Sequence, residues 1–382
     1  MTVAERDLGV PSDHQLKVHW FLPTGGDSRD VLPDSQSSNR RPDLAYLAQI
    51  AQACDAFGFE GMLTPCGTGC EDAWITTAAL VPLTQRVKFL VAFRPTLLTP
   101  TLAAQMASTY QRVSGGRLLV NIVTGAEPAE LARFGVWEDK ATRYERTGEF
   151  LSIMRRCWDP VPFDHEGAHY RVAGATTRLP PDPVPRIYFG GASPEAEQVA
   201  AEHVDVYLAW GEPPEMVAPR VGRMRALAAE HGRELTLGIR FHVITRPTSA
   251  EAWAAAEHLR AGMSEAAIAA AQQDFANTQS VGQARMASLH AGDRESLEVY
   301  PNVWAGIGLV RGGVGTALVG SHDEVAGRIA EYHALGFDEF ILSGYPHLEE
   351  AYWFGEGVLP VLRKRGLLPH RGPAANPVFS FR

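Results

Sequence analysis

Short apolar runs alternate with longer helical patterns along this chain, and this alternation is the feature that most constrains its fold. Residues 18–22 form the first apolar run, and residues 44–57 carry the helical pattern that follows it. Eight such runs are candidate strands, at residues 18–22, 61–64, 87–92, 117–123, 186–189, 206–210, 235–245 and 340–343. Strands separated by helices predict an α/β fold, and eight of them predict a (β/α)8 TIM barrel.

The chain is longer than a bare barrel requires. Such a frame takes about 250 residues, whereas this chain has 382. We assign residues 17–363 to one barrel domain, residues 1–16 to an N-terminal extension, and residues 364–382 to a C-terminal tail. Because the tail carries apolar residues, we expect it to dock on this subunit or to form an arm that reaches a neighbouring one.

Two insertions account for much of the excess length. Residues 160–185 are rich in proline, glycine and threonine, and residues 264–318 carry a helical pattern at 265–277 followed by a glycine-rich run. Long insertions in a barrel usually cover or line the C-terminal face, where the chemistry takes place. We expect both insertions at that face.

Charge and composition narrow the partners and the compartment. A net charge of −9 and a pI near 5.8 provide no basic footprint for nucleic acid or an anionic membrane, so we expect neither as a partner. The four cysteines are too few for a disulfide scaffold and match no standard zinc spacing. No signal peptide or membrane span is evident, so we expect a cytoplasmic protein.

The candidate strand at residues 235–245 carries two polar side chains on one face. Positions two apart on a strand point the same way, so Arg240 and His242 share one environment, while Phe241 and Val243 face the other. A buried guanidinium without a partner is costly, so Arg240 needs one. That partner is either a carboxylate of the protein or an anionic ligand, and the strand alone favours neither.

Residues 165–169 read HEGAH, which matches the H-E-x-x-H pattern of zinc proteases. That chemistry requires a helix, which places both histidines on one face. Here Pro160 and Pro162 precede the motif and Gly167 lies within it. We therefore predict a hairpin that turns at residues 166–167, and no metal site.

Glycine-rich segments provide two candidate anion sites. Residues 306–316 fail the dinucleotide fingerprint, because Arg311 stands where the third glycine is required. Arg311 instead lies on a flexible loop that either closes over an anion or faces solvent. Gly190, Gly191 and Ser193 lie between a strand and a helix, where they either cradle a phosphate or form an ordinary turn with a serine cap.

Three further residues follow or end candidate strands. Ala92 and Thr124 lie at strand ends, where ligand groups gather on the C-terminal face of a barrel, although turn chemistry alone also explains them. Cys70 follows the second strand, where its thiol is able to hydrogen-bond a ligand. We include all three among the candidate site residues.

Seven blocks of sequence, in order, resemble the reduced-flavin-dependent alkanesulfonate monooxygenases of the bacterial-luciferase-like superfamily. These blocks are residues 20–24, 70–74, 189–191, 210–214, 240–244, 309–313 and 343–350. The resemblance extends over roughly residues 18–362 and leaves out the N-terminal extension and the tail.

The resemblance implies a TIM barrel that takes FMNH2 from a separate NAD(P)H-dependent FMN reductase. With O2, such an enzyme cleaves the carbon–sulfur bond of an organosulfonate and yields sulfite, an aldehyde and FMN. It also implies a homodimer or homotetramer. The catalytic residues implied by position are Trp210, Arg240, His242, Arg311, Tyr345 and Cys70. Those expected to hold the flavin are Ala92, Thr124, Gly190, Gly191, Ser193 and Tyr345.

The chain departs from that family at two loops. Residues 65–70 read PCGTGC where the family has an arginine and a serine before the cysteine, and Gly25 and Gly26 replace a His-Gly pair. Smaller side chains at the mouth predict a larger pocket, and hence a bulkier sulfonate such as 6-deoxy-6-sulfoglucose (sulfoquinovose). Two alternatives stay open: a related monooxygenase of a sulfone or sulfinate, and a barrel that binds flavin or sulfonate without catalysis.

Overall fold

The computed structural model describes residues 15–32, 39–294 and 296–369. These residues form strands β1 (Lys17–Phe21), β2 (Gly61–Thr64), β3 (Lys88–Phe93), β4 (Leu118–Ile122), β5 (Phe163–Glu166), β6 (Arg171–Ala175), β7 (Ile187–Gly190), β8 (Val206–Trp210), β9 (Thr236–Arg246), β10 (Glu298–Tyr300), β11 (Val303–Trp304), β12 (Ala317–Ser321) and β13 (Glu339–Ser343).

Eight of these strands close into a parallel barrel in the order β1-β2-β3-β4-β7-β8-β9-β13. The pairing of β13 with both β1 and β9 completes the ring. Each barrel strand overlaps one of the eight candidate runs. The predicted (β/α)8 TIM barrel is therefore confirmed.

Helices surround the barrel and extend from its insertions. They are α1 (Leu44–Phe57), α2 (Ala73–Leu80), α3 (Pro100–Ser114), α4 (Pro128–Arg133), α5 (Lys140–Arg156), α6 (Pro194–His203), α7 (Pro214–Glu230), α8 (Ser249–Ala261), α9 (Glu265–Ala276), α10 (Val281–Ser288), α11 (His322–Ala334), α12 (His347–Trp353) and α13 (Leu359–Lys364). Among the described residues, none of these helices combines the length and apolar character needed to cross a membrane.

Alternation along the strands divides the core into two layers. On β1, Phe21 joins a cluster inside the barrel with Leu63, Leu119 and Ile341, whereas Trp20 packs outward against the helical layer. Strands buried on both faces read as continuous apolar runs, which is why the barrel strands are conspicuous in the sequence.

The N-terminal end of the barrel is filled by a buried polar network around Glu339. Its carboxylate accepts hydrogen bonds from the Tyr188 hydroxyl at 2.7 Å and from Arg186 Nη1 at 2.5 Å, and it lies 3.0 Å from His19 Nε2. Although burial acts to raise the pKa of Glu339, His19, Arg186 and Lys17 outweigh it and hold that pKa well below the usual range. This end of the barrel is structural.

The first insertion is a hairpin, as predicted. Strands β5 and β6 pair antiparallel, with Glu166 opposite Arg171. The histidines of the HEGAH motif face carboxylates of α5: His165 Nε2 lies 2.9 Å from Glu149, and His169 Nε2 lies 3.8 Å from Glu145. The motif therefore lies on a hairpin and lacks the helix on which its zinc chemistry depends.

The second insertion begins with α9, which matches the predicted helix, and ends in a strand that the sequence analysis does not predict. The inner half of β9 pairs with β8 and β13, whereas its outer half, from His242 to Arg246, pairs with β12. Since the predicted insertion ran to residue 318, it overlapped the start of β12. Strand β9 thus extends beyond the barrel, and β12, β11 and β10 follow in that order beside its outer half.

Two of the predicted segments fall largely outside the described residues. Residues 1–14 of the N-terminal extension and residues 370–382 of the tail are not described. The proposed intersubunit arm lies in the second of these.

Candidate active site

The C-terminal ends of β8, β9 and β13 bring the predicted polar residues to one side of the barrel. Trp210 ends β8 and is in register with Arg240 on β9. His242, two residues further along β9, is in register with Ser343 at the end of β13. Tyr345 follows that strand. Arg240 and His242 lie on the same face of β9, as predicted. The first is in register with the end of β8 and the second with the end of β13.

Arg240 has no carboxylate partner among the described residues. Its Nε and Nη2 atoms are buried and make no hydrogen bond. Its guanidinium carbon lies 4.6 Å from the centre of the Phe21 ring. Burial, and then the nearby charge of Arg311, lower the pKa of Arg240 to about 9. Within the described part of the chain, an internal ion pair does not explain this arginine, and its donors are available to an anionic ligand.

Arg311 lies on the glycine-rich loop and turns toward the same group. Its charge lowers the pKa of Arg240, His242 and Cys70, so its side chain lies near all three. Its own Nη1 donates to the Gly312 carbonyl at 3.2 Å, and no described carboxylate forms an ion pair with it. Two guanidinium groups therefore lie close together, and no carboxylate among the residues that the structure describes neutralises either of them.

His242 is buried and neutral. Burial, followed by the charges of Arg311 and Arg240, holds the pKa of His242 well below its ordinary value. Its Nδ1 lies 2.9 Å from the Ser343 hydroxyl, and its ring stacks on Tyr345 with centroids 5.5 Å apart. A neutral imidazole next to two arginines orients polar groups, but it is a poor proton acceptor.

Cys70 and Cys66 lie on the loop after β2; both are near Arg94, and Cys70 is also near Arg311. Burial raises the pKa of the Cys66 thiol to about 11 and also raises that of Cys70. Both thiols are therefore protonated at neutral pH. The loop is fixed by Glu130 of α4, which accepts a hydrogen bond from Thr68 N at 3.1 Å and pairs with the buried Arg94.

A cavity of about 580 Å³ opens beside Arg240 and extends to the N-terminus of α6. Of the residues predicted to hold a ligand, it is lined by Thr124, Gly190, Gly191, Ser193, Trp210 and Arg240. Ala92 does not line this cavity; it is buried on β3 in register with Asn121, which does. Gly312 and Gly313 of the Arg311 loop form part of the wall.

Gly191 allows the loop after β7 to approach α6 closely. A Cβ at this position would lie 2.5 Å from the Cβ of Ala196, so only glycine fits without displacement. The Gly191 carbonyl accepts from the Tyr207 hydroxyl at 2.6 Å, and Ser193 caps α6 by accepting from Ala196 N at 3.4 Å. The N-terminus of a ten-residue helix thus borders the cavity.

Two basic residues of α5 also line the cavity and were missed by the sequence analysis. Arg143 is buried, donates to the Glu138 carbonyl at 2.6 Å and to Gln279 Oε1 at 3.1 Å, and leaves its Nε without a partner. Lys140 lies 3.5 Å from Glu195. Because charged residues are frequent along α5, its sequence gives no signal that singles out Arg143.

The profile of the luciferase-like monooxygenase family matches residues 16–339, which are most of the chain. The chain belongs to the luciferase-like monooxygenases.

Solved structures of other proteins share this fold. A riboflavin lyase, crystallised with modified FMN and riboflavin, superposes with a TM-score of 0.78 at 23% identity over 93% of both chains. The EDTA monooxygenase of Chelativorans sp. BNC1 gives 0.73 at 20% identity, covering 93% of this chain and 95% of the other. A long-chain alkane monooxygenase gives 0.76 at 20% identity over 94% of both. At these identities the likeness establishes the fold alone.

In this luciferase-like monooxygenase, α10 holds the Arg311 loop in place. Gln283 Oε1 accepts a hydrogen bond from Gly313 N at 2.8 Å. Arg285, two residues further along α10, donates to both carboxylate oxygens of the buried Glu212, at 2.5 and 2.7 Å. The second insertion is thereby fastened to the end of β8, and it forms one wall of the cavity.

A second buried histidine lies among the site residues of this luciferase-like monooxygenase and was also missed. His347 begins α12, and its Nδ1 lies 2.8 Å from Asp27 Oδ1. The two residues are 320 positions apart, so no local sequence pattern connects them.

Proposed function

We propose that this protein is a two-component flavin-dependent monooxygenase that uses FMNH2 and O2 to cleave the carbon–sulfur bond of an organosulfonate. The products are sulfite, an aldehyde and FMN. The reduced flavin comes from a separate NAD(P)H-dependent FMN reductase, and the protein forms a homodimer or homotetramer. Membership of the luciferase-like monooxygenases supports flavin-dependent oxygenation, and the chemistry of the site supports the choice of substrate.

The observation that carries this proposal is a pair of arginines, Arg240 and Arg311, that have no carboxylate partner among the described residues. Arg240 and Arg311 lie close enough for one charge to depress the pKa of the other. A bound anion would relieve that repulsion. A sulfonate is ionised at any physiological pH and has three acceptor oxygens, so it suits two guanidinium forks. The Trp210 indole and the Tyr345 hydroxyl provide further donors.

The residues around the cavity fit a flavin mononucleotide. The volume of about 580 Å³ lies in the range of cofactor sites, roughly 300–1,000 Å³. Gly190, Gly191 and Ser193 at the start of α6 would hold the phosphate, because helix N-termini favour anions. Arg143 adds a buried Nε without a partner. When bound, reduced flavin supplies the electrons that reduce one atom of O2 to water.

The protein side chains around the site have distinct roles in the proposed reaction. Arg240 and Arg311 hold the sulfonate and stabilise the charge that collects on the departing sulfite, without having to reorganise. His242, neutral and stacked on Tyr345, fixes the position of that ring. The loop that carries Arg311 excludes water from the cavity when it closes over the substrate.

Two glycine-rich loops, one after β1 and one after β2, affect the space for the organic part of the substrate. A Cβ at Gly25 would lie 2.9 Å from the Gly69 carbonyl, so that space is already filled by the loop after β2. A Cβ at Gly69 would meet nothing within 4 Å. Gly69 is exposed, so this loop places no side chain in the way of a bulkier substrate. We propose a hydroxylated sulfonate of the size of sulfoquinovose.

The test is sulfite release from the full-length protein with O2 and an FMN reductase system. The panel contains short alkanesulfonates, sulfoquinovose, a sulfone, a sulfinate and a polycarboxylate. We expect sulfite from the sugar sulfonate in preference to the short alkanesulfonates. Equal turnover of the short compounds with rejection of the sugar would contradict the substrate assignment. Binding of flavin and sulfonate without any sulfite would identify a barrel that does not catalyse desulfonation.

A further inference from the structure

His347 packs on the same Phe21 ring as Arg240 and has no task in the reaction described so far. It is 3% exposed. Asp27 holds it at two points: the His347 backbone N–H donates to Asp27 Oδ2 at 2.8 Å, and its Nδ1 lies 2.8 Å from Oδ1. The other ring nitrogen, Nε2, is buried and makes no hydrogen bond within the described part of the chain. A buried polar atom without a partner is a costly feature that calls for a reason.

The ring of His347 lies at the mouth of the barrel, next to the proposed sulfonate site. It packs on Phe21 with centroids 5.6 Å apart, and Arg240 lies 4.6 Å from the centre of that same Phe21 ring. Its edge also contacts Tyr345, with centroids 5.4 Å apart. His347 and Arg240 thus lie against a single aromatic side chain that points into the barrel.

The neighbours of Asp27 favour its ionised form. Burial alone would raise the pKa of Asp27, but the charge and hydrogen bond of His347, together with the Tyr46 hydroxyl, hold it below its ordinary value. Ser28 N also donates to Oδ1, at 2.9 Å. A carboxylate that accepts from Nδ1–H leaves a lone pair on Nε2 and stabilises the imidazolium once that nitrogen takes a proton.

The surroundings of the two histidines differ. The titratable and charged groups around His347 are Asp27, the Tyr46 that binds Asp27, Tyr345, His242 and Arg240. Asp27 is the anion among them and touches the ring directly. His242 has Arg311 and Arg240 as neighbours, contacts the Ser343 hydroxyl, and is not paired with a described carboxylate.

We propose that His347, oriented by Asp27, is the proton acceptor of the site. This role rests on the proposed desulfonation. In that reaction the carbon that bears sulfur loses one hydrogen as a proton and gains a carbonyl oxygen from O2. Its C–H and C–S bonds break, the C–H electron pair stays with carbon for the new C=O bond, and sulfite leaves with the C–S pair. Reduced flavin supplies the two electrons and two protons that turn the other oxygen atom into water. His347 Nε2 forms an N–H bond with the released proton and later passes it to solvent.

The test compares H347Q and D27N with a control histidine variant, H165Q. His165 is also held by a carboxylate, Glu149, but lies on the hairpin. General-base catalysis contributes about 100-fold or more, so sulfite release by H347Q should fall by about that factor. A substrate deuterated at the sulfur-bearing carbon should show a larger isotope effect with H347Q. H165Q should match wild type.

Two readouts separate catalysis from folding. Flavin and sulfonate binding, followed by fluorescence without turnover, should be retained in H347Q. In ¹⁵N-histidine NMR of the unloaded protein, the His347 ring should show the tautomer with its proton on Nδ1 in wild type, where Asp27 accepts it, and D27N should lose this preference. The acidic limb of the pH profile of activity should differ between D27N and wild type, because the carboxylate beside the proposed proton acceptor is gone. A limb that stays in place would overturn the role of Asp27.

The results also distinguish the two proposals. Wild-type protein that releases no sulfite from any sulfonate would refute the desulfonation itself. Active wild type together with an H347Q variant of unchanged rate, isotope effect and pH profile would refute only the role of His347.

Discussion

Arg285 of α10 donates to both carboxylate oxygens of Glu212, which lies two residues after β8, at 2.5 and 2.7 Å. Glu212 is buried and also lies 3.3 Å from Arg220. This pair fastens the second insertion, and through Gln283 the Arg311 loop, to the barrel. The position of the Arg311 loop therefore depends on an ion pair that includes neither Arg240 nor Arg311.

Replacing Arg285 by alanine should loosen the loop. We expect KM for the sulfonate to rise by roughly tenfold, since an ionic hydrogen bond contributes about 1.5–3 kcal/mol, and we expect more O2 to be consumed without sulfite. Parallel assays of O2 uptake and sulfite give this ratio. R260A, which breaks the exposed Arg260–Glu257 pair on α8, is the matched control. If R285A consumes no more O2 for each sulfite than wild type does, other contacts hold the loop.

Replacing Arg311 by alanine should abolish most sulfite release while flavin binding is largely kept. One charge-assisted contact of about 1.5–3 kcal/mol corresponds to roughly a 10- to 150-fold loss of sulfonate affinity. Calorimetric titration of the sulfonate and fluorescence titration of the flavin measure the two effects separately. Turnover equal to wild type would remove Arg311 from the site.

The lowered pKa of Arg240 gives a pH dependence with a definite sign. The sulfonate requires the charged guanidinium, so its affinity should fall as pH rises through about 9, the pKa of Arg240. In R311A this limb should move to higher pH, because the charge of Arg311 helps to lower that pKa. A pH series of KM for both proteins tests this. If sulfonate affinity falls at the same pH in both proteins, the two arginines do not interact.

Glu339 should stabilise the barrel from its N-terminal end. Removing one partner of a buried ionic network costs about 3 kcal/mol or more, so E339Q should unfold at lower denaturant concentration, with flavin binding retained in the folded protein. The pKa of Glu339 is lowered in the folded state. Its contribution is therefore complete above the ordinary carboxyl range and is lost as pH falls through the folded value. Urea unfolding between neutral and acidic pH measures this, with the exposed Glu166→Gln as control; equal stability of the two variants would contradict it.

The barrel could be predicted because its strands are buried on both faces. Continuous apolar runs at regular intervals leave little choice of fold. The strand β12 escaped prediction because it follows a glycine-rich loop and pairs with the outer half of β9, a length of strand that no barrel requires.

Part of the candidate site could also be predicted. Arg240 and His242 stand out because charge on an apolar strand is costly, and the structure adds that Arg240 has no described carboxylate partner. Asp27 and His347 could not be paired in advance, because tertiary packing alone joins a loop after β1 to the start of α12. Arg143 lies on the polar helix α5, where the sequence does not distinguish a buried arginine from an exposed one.

The most direct test of the anion site as a desulfonation site is a single turnover. Protein loaded anaerobically with FMNH2 and sulfoquinovose is mixed with O2, and sulfite is measured against flavin oxidised. We predict nearly one sulfite for each flavin in the wild-type protein and almost none in R311A. Complete flavin oxidation without sulfite, for this sugar and for every alkanesulfonate tried, would contradict the proposed function.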